Sequence, residues 1–205
     1  MNEDVKKALK KSAQDFIDVV YPLIKKPLGD GKLIPVQDVT ENEMATILDQ
    51  YSGIDAWYIE NSKGIRGLSS RIQYVETDEY KSFTIRKERE SGAKTEYEKL
   101  TYAIQENWLY PYWFCQAYLH PTTKKPHSAG LCKTTDLIKY ISEGKDGIDY
   151  TVKEVSIKGR ATFFVVNWQK FKKKYPMYKF PEDTLAKHIL GQIKKPKRLI
   201  VNRLI

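Results

Sequence analysis

The chain has 205 residues, 41% of them hydrophobic and 30% charged, with 11 glycines, 9 prolines and 2 cysteines. That balance excludes a disordered, collagen-like or low-complexity chain, and the length suits one domain with a sizeable buried core. The formal net charge of +9 points toward anionic rather than cationic partners.

The surplus is unevenly placed. Val166 to Ile205 carries eleven Lys or Arg against Glu182 and Asp183, and the rest of the chain holds equal numbers of each sign. Such an end either meets a polyanion such as DNA or serves as a solubilising tail. No apolar run approaches the roughly 18 residues that span a bilayer, and the lysine-rich start lacks the features of a signal peptide, so a cytoplasmic protein with no membrane partner is expected. Cys115 and Cys132 are too few for a disulfide framework.

Residues 4–24 have apolar side chains at helical intervals, from Val5 and Leu9 through Phe16, Val20 and Leu23. Pro27, Gly29, Gly31 and Pro35 then break the chain, and a capping-box spacing at Thr40 and Glu43 predicts a second helix ending at Gly53. The period next changes to two. Ile54, Ala56 and Tyr58 predict a strand, the turn at 61–64 leads to a second run from Leu68 to Val75, and Ser82 to Arg86 is expected to complete a three-stranded antiparallel meander.

Thr95 and Glu98 mark another capping box before the stripe Tyr97, Leu100, Ala103, Ile104 and Trp108, which Pro111 stops. Trp113 to Leu119 reads as a strand, His120 to Gly130 as a loop, and Leu137 to Ile141 as a short helix. Residues 161–168 read as a buried strand, followed by short helical pieces. No internal repeat or linker divides the chain. The order predicts a single α/β domain: a mixed central sheet containing the meander and flanked by helices, with an N-terminal helix and loop at 1–39, a core at 40–168 and a basic region at 169–205.

Several chemistries have no support. There is no dinucleotide fingerprint, and Gly92, Ala93, Lys94 and Thr95 lack the earlier glycine of a phosphate loop. No serine sits in a nucleophile elbow. Cys115, His120, His127 and Cys132 have metal-ligand chemistry, but their intervals are wider than those of zinc pairs, and buried cysteine and loop histidine are ordinary.

Asp55 stands out, because strands disfavour aspartate and this one follows Gly53 at the junction of helix and strand. On the next strand Ser69, Arg71 and Gln73 share a face by alternation, so a hairpin brings polar groups beside Asp55. An ion pair between Asp55 and Arg71, or a solvated sheet face, accounts for the same pattern.

A helix, a Gly-Ile-Asp strand start, a hairpin, a third strand, a helix and a fourth strand, over about residues 40–120, resembles the core of the PD-(D/E)XK nuclease-like superfamily, which includes restriction enzymes and phage or mobile-element nucleases. The resemblance implies a restriction-endonuclease-like fold and Mg²⁺-dependent hydrolysis of DNA. Asp55 matches the metal-binding aspartate, with Glu43 or Asp49 of the preceding helix as further ligands and Glu96 or Glu98 as weaker candidates. Gln73 matches the first position of the second-strand motif, where Val75 stands in place of the usual lysine; in another register Arg71 takes the cation's place. Arg71 would steady water or phosphate, and its permanent charge bars it from acting as a base. Arg86, Lys87 and Arg89, together with Lys194, Lys195, Lys197 and Arg198, would contact nucleic-acid phosphates. The other reading is a catalytically inactive nuclease fold that engages DNA or a partner protein without cleavage.

Overall fold

The structure, a computed structural model, describes residues 11–36, 52–60, 64–156 and 160–181. The helix of residues 4–24, where described, continues beyond the expected break: residues 11–15 are helical, a π-helical turn spans Phe16–Val20, and α1 runs Tyr21–Leu28 through Pro27. Its buried residues are Phe16, Val20, Ile24 and Leu28. A strict four-residue interval drifts about 40° per step around an α-helix. The wider turn between Phe16 and Val20 absorbs part of that drift and keeps the stripe on the sheet. Gly29, at φ +96°, ends the helix in a conformation that a side chain would strain.

Among the described residues nine strands form two sheets. The larger runs in the order β1 (Gly31–Pro35), β2 (Ala56–Glu60), β3 (Gly64–Tyr74), β5 (Trp113–Leu119), β6 (Pro126–Lys133) and β9 (Met177–Phe180). The smaller has β4 (Ser82–Arg89) at one edge, β8 (Ala161–Asn167) in the middle and β7 (Thr151–Val155) at the other edge. Helices α2 (Glu96–Gln105), α3 (Thr134–Glu143) and α4 (Trp168–Lys172) complete a mixed α/β architecture. No described helix is long and apolar enough to cross a membrane.

The β2–β3 hairpin forms as its alternation predicts, with Ala56 paired to Leu68 and Tyr58 to Arg66. The meander does not. β3 takes β5 as a parallel neighbour from Leu68 opposite Trp113 to Tyr74 opposite Leu119, and β4 leaves for the other sheet, where it pairs with β8. A period of two identifies a strand without naming its partner, and here the partner of β4 lies about 80 residues downstream. Two further corrections follow from strand pairing. Pro126–Lys133, whose first five residues fall in the expected loop of residues 120–130, is β6, antiparallel to β5, and Gly31–Pro35, expected as a break, is the edge strand β1 on β2.

The large sheet is covered on both faces, which is why β5 is apolar almost throughout. Cys115, Ala117 and Leu119 join Phe16, Val20, Ile24 and Leu28 on one side, and Phe114 and Tyr118 join Phe83, Leu137, Phe164 and Trp168 on the other. Gly130 of β6 lets the Trp168 ring approach: a Cβ there would lie 2.6 Å from the ring.

Candidate functional site

Asp55 sits where β2 runs out. Its N–H donates to the Leu68 carbonyl at 3.0 Å, and its own carbonyl accepts from the Val36 N–H at 3.0 Å, tying β1, β2 and β3 together. Past Leu68 the β2 side of β3 has no main-chain partner among the described residues, and the Asp55 carboxylate lies there. Oδ2 accepts the Ser70 N–H at 2.5 Å and is approached by the hydroxyls of Ser70 at 3.4 Å and Ser69 at 3.5 Å. A carboxylate that satisfies a stranded backbone donor is a local alternative to a metal ligand.

Arg71 belongs to a different network. The alternation of β3 puts Ser69, Arg71 and Gln73 on one face, as expected, beside Phe114, Gln116 and Tyr118 of β5. That face receives the free edge of β4. Tyr118 donates its hydroxyl to the Ser82 carbonyl at 2.9 Å, Arg71 Nη1 donates to the Thr84 carbonyl at 2.8 Å, and the Thr84 N–H reaches Gln116 Oε1 at 3.4 Å. The Arg86 N–H donates to Glu96 Oε2 at 3.2 Å. Side chains from the large sheet and α2 thus replace the main-chain ladder that the β4 edge lacks. The Thr84 hydroxyl donates to Gln116 Oε1 at 3.0 Å and lies 3.3 Å from Arg71 Nη1 and 3.4 Å from Gln73 Nε2. Arg71 Nη2 meets Glu96 Oε2 at 2.7 Å, so its carboxylate partner is Glu96 of α2. Glu98 completes the capping box, its Oε2 accepting from the Thr95 N–H at 2.7 Å.

A bulge in β4 sorts the neighbouring cations. Arg86 opposes Phe163, the register shifts between Arg86 and Glu88, and Arg89 opposes Ala161. Without the extra residue, positions three apart would face opposite ways; with it, Arg86 and Arg89 share the side of Phe163. Phe163 has the Arg86 guanidinium 5.4 Å and the Arg71 guanidinium 5.8 Å from its ring centroid. Burial first, then the charges of Arg71 and Arg89, push the Arg86 guanidinium below its ordinary pKa. Lys87 turns the other way, toward the Phe164 ring and an ion pair with Glu88 at 3.1 Å. The expected trio of cations is therefore split.

Of the sequence candidates, Asp55, Arg71, Gln73, Arg86 and Arg89 fall within one region around β3 and β4, but Asp55 and Arg71 do not pair. Glu43, Asp49, Lys194, Lys195, Lys197 and Arg198 lie outside the described residues. Among the described residues Asp55 serves Ser70, and no group of three or more His, Cys, Asp or Glu is placed to hold a metal ion. Of the four residues with zinc-ligand chemistry, His120 and His127 are neighbours, their ring centroids 5.9 Å apart. Cys115 and Cys132 are buried on opposite faces of the large sheet, and burial drives both thiol pKa values up. His120 accepts at Nδ1 from the Thr122 and Thr123 N–H groups, each at 3.2 Å, and its Nε2 lies 3.3 Å from Glu76 Oε2.

Sequence reasoning missed Thr84, Gln116 and Phe163. The one available signal was Gln116, a carboxamide inside the apolar run Trp113 to Leu119, since a buried polar side chain there needs a partner. No family model, no curated protein and no solved structure matches this chain.

Proposed function

We propose that this protein binds nucleic acid, DNA in the first instance, through the side of β4 and β8 that carries Arg71, Arg86, Arg89 and Phe163, and that it does not cleave it. The observation that carries this reading is the β4 bulge, which places Arg86 and Arg89 on one side beside an aromatic ring that already has Arg71 against it. Lys153 of β7 opposes Phe163 from the other neighbouring strand and adds to the same side. Guanidinium groups beside an aromatic ring suit a backbone of phosphates and stacked bases. The net charge of +9 strengthens the attraction.

Binding without cleavage is favoured because the two residues matched to nuclease chemistry have structural work. Asp55 satisfies the Ser70 N–H, and Arg71 holds the β4 edge. Were the protein a PD-(D/E)XK nuclease, Asp55 would hold a metal ion through Oδ1 while Oδ2 keeps the Ser70 N–H.

Fluorescence anisotropy with a labelled duplex at 50–200 mM salt tests binding. Affinity should fall steeply with salt, and Arg86→Gln with Arg89→Gln should weaken it and flatten the slope. Supercoiled plasmid incubated with protein and Mg²⁺ should stay intact. Nicking that EDTA blocks would restore the nuclease reading, and failure to bind duplex or single strand at 50 mM salt would end the nucleic-acid reading.

A further inference from the structure

We infer that Arg86 and Arg89 form a site for a phosphate dianion, such as the terminal phosphate of a nucleotide or of an oligonucleotide end. The site lies on the face proposed above to meet nucleic acid, and it rests on that reading only for the source of the phosphate.

The donors are in place and unused. Nε of Arg86, Nε of Arg89 and Nε2 of Gln116 are buried and have no hydrogen-bond partner. Gln116 is fully buried and is the register neighbour of Arg71, so its unused amide belongs to the same polar layer. An orphaned buried donor bears the full cost of losing its water. Two arginine Nε orphans on one side of β4 are better explained by an acceptor that arrives from outside than by repeated loss. The Nε–H edge is also the side of a guanidinium that grips an oxyanion in bidentate fashion.

The charge balance gives the ligand's valence. Arg71, Arg86, Arg89 and Lys153 lie on this side, set against Glu96, which bonds Arg71 and the Arg86 N–H, and Glu98, which feels Arg89. Two positive charges remain unmatched. Arginine cannot shed its proton under ordinary conditions, so the mutual repulsion of Arg71, Arg86 and Arg89 is relieved by an anion and not by deprotonation. A dianion neutralises the surplus; a phosphodiester, with one charge, does so by half.

Calorimetric titration at fixed ionic strength compares a nucleoside, its 5′-monophosphate and inorganic phosphate, and anisotropy compares one oligonucleotide with a 5′-phosphate or a 5′-hydroxyl. The monophosphate should bind at least tenfold tighter than the nucleoside, inorganic phosphate should compete, and the 5′-phosphate should tighten oligonucleotide binding at least fivefold. Arg89→Gln should erase each difference, and Arg89→Lys, which keeps charge but not the Nε–H edge, should recover less than half. Circular dichroism confirms that the variants fold; should Arg89→Gln unfold, Arg86→Gln serves in its place. Oligonucleotides that bind regardless of their terminal group would overturn the dianion site and leave the nucleic-acid reading intact. A monophosphate that binds where no oligonucleotide does would uphold the site and end that reading. Equal, weak binding of nucleoside and monophosphate overturns the site outright.

Discussion

Arg71 reaches across from β3 and donates to the main-chain carbonyl of Thr84 at 2.8 Å, joining the two sheets by a bond that neither sheet makes on its own. The same guanidinium holds Glu96 at 2.7 Å, so one side chain fixes β3, β4 and the start of α2. Arg71→Met keeps the aliphatic stem and removes every donor, leaving the Thr84 carbonyl without its partner and Glu96 with the Arg86 N–H alone. A loss of about 2 kcal/mol is expected, since both groups are partly shielded from water. Urea unfolding measures it, and a change below about 0.5 kcal/mol would show the bridge to be incidental.

Asp55 separates two roles by chemistry. As the acceptor for Ser70, it tolerates replacement by an amide, whose carbonyl oxygen can receive the same N–H. Asp55→Asn should cost under about 1 kcal/mol and leave DNA binding unchanged, and Asp55→Ala should cost about 2 kcal/mol because the Ser70 donor is left alone. Equal stability of the two variants would remove the backbone-satisfying role.

The two thiols give a pH dependence of known sign. Burial raises Cys115 and Cys132 above the ordinary thiol value of 9.0. Unfolded thiols ionise near that value while the folded ones stay protonated, so the folded state binds more protons and is penalised as pH rises past 9. One unit above it the penalty is about 1.4 kcal/mol per thiol. A protein carrying Cys115→Ala and Cys132→Ala lacks this penalty, so its stability deficit relative to the parent should narrow between pH 8 and pH 10. A constant deficit would mean that the thiols are not protected.

The basic C-terminal segment is a separate question from the β4 face. Replacing Lys194, Lys195, Lys197 and Arg198 by Gln should lower the magnitude of the log–log salt slope by about 3.6 if all four side chains lie along duplex phosphates. An unchanged slope in the anisotropy titration would assign duplex binding to Arg86, Arg89 and their neighbours.

Local features were legible, and long-range pairings were not. The capping box at Thr95 and Glu98, the β2–β3 hairpin, and the shared face of Ser69, Arg71 and Gln73 all follow from spacing within a few residues, and all are present. The partner of β4 is β8 because Phe83 and Ile85 meet Val166 and Phe164 on the buried side, a match between segments that no local window contains. Arg71 was visible as a cation on a polar face. Its attachment to the Thr84 carbonyl was not, because an unpaired strand edge exists only once the sheets are placed. The bulge after Arg86 was equally hidden: in sequence Arg86, Lys87 and Arg89 form one run, and only the register shows that they divide between two faces.

The departure of β4 from its sequence neighbours also sets an order of assembly. The β2–β3 hairpin closes across three residues, whereas β8, the strand bonded to β4 among the described residues, is completed at Asn167. During synthesis, β4 leaves the ribosome long before β8 exists, with one edge awaiting side chains from β5 and α2 and the other awaiting a strand yet to be made. A chain stopped before residue 160 would therefore leave β4 without its main-chain partner along the β8 side, the kind of edge that draws chaperones or pairs with another copy of itself.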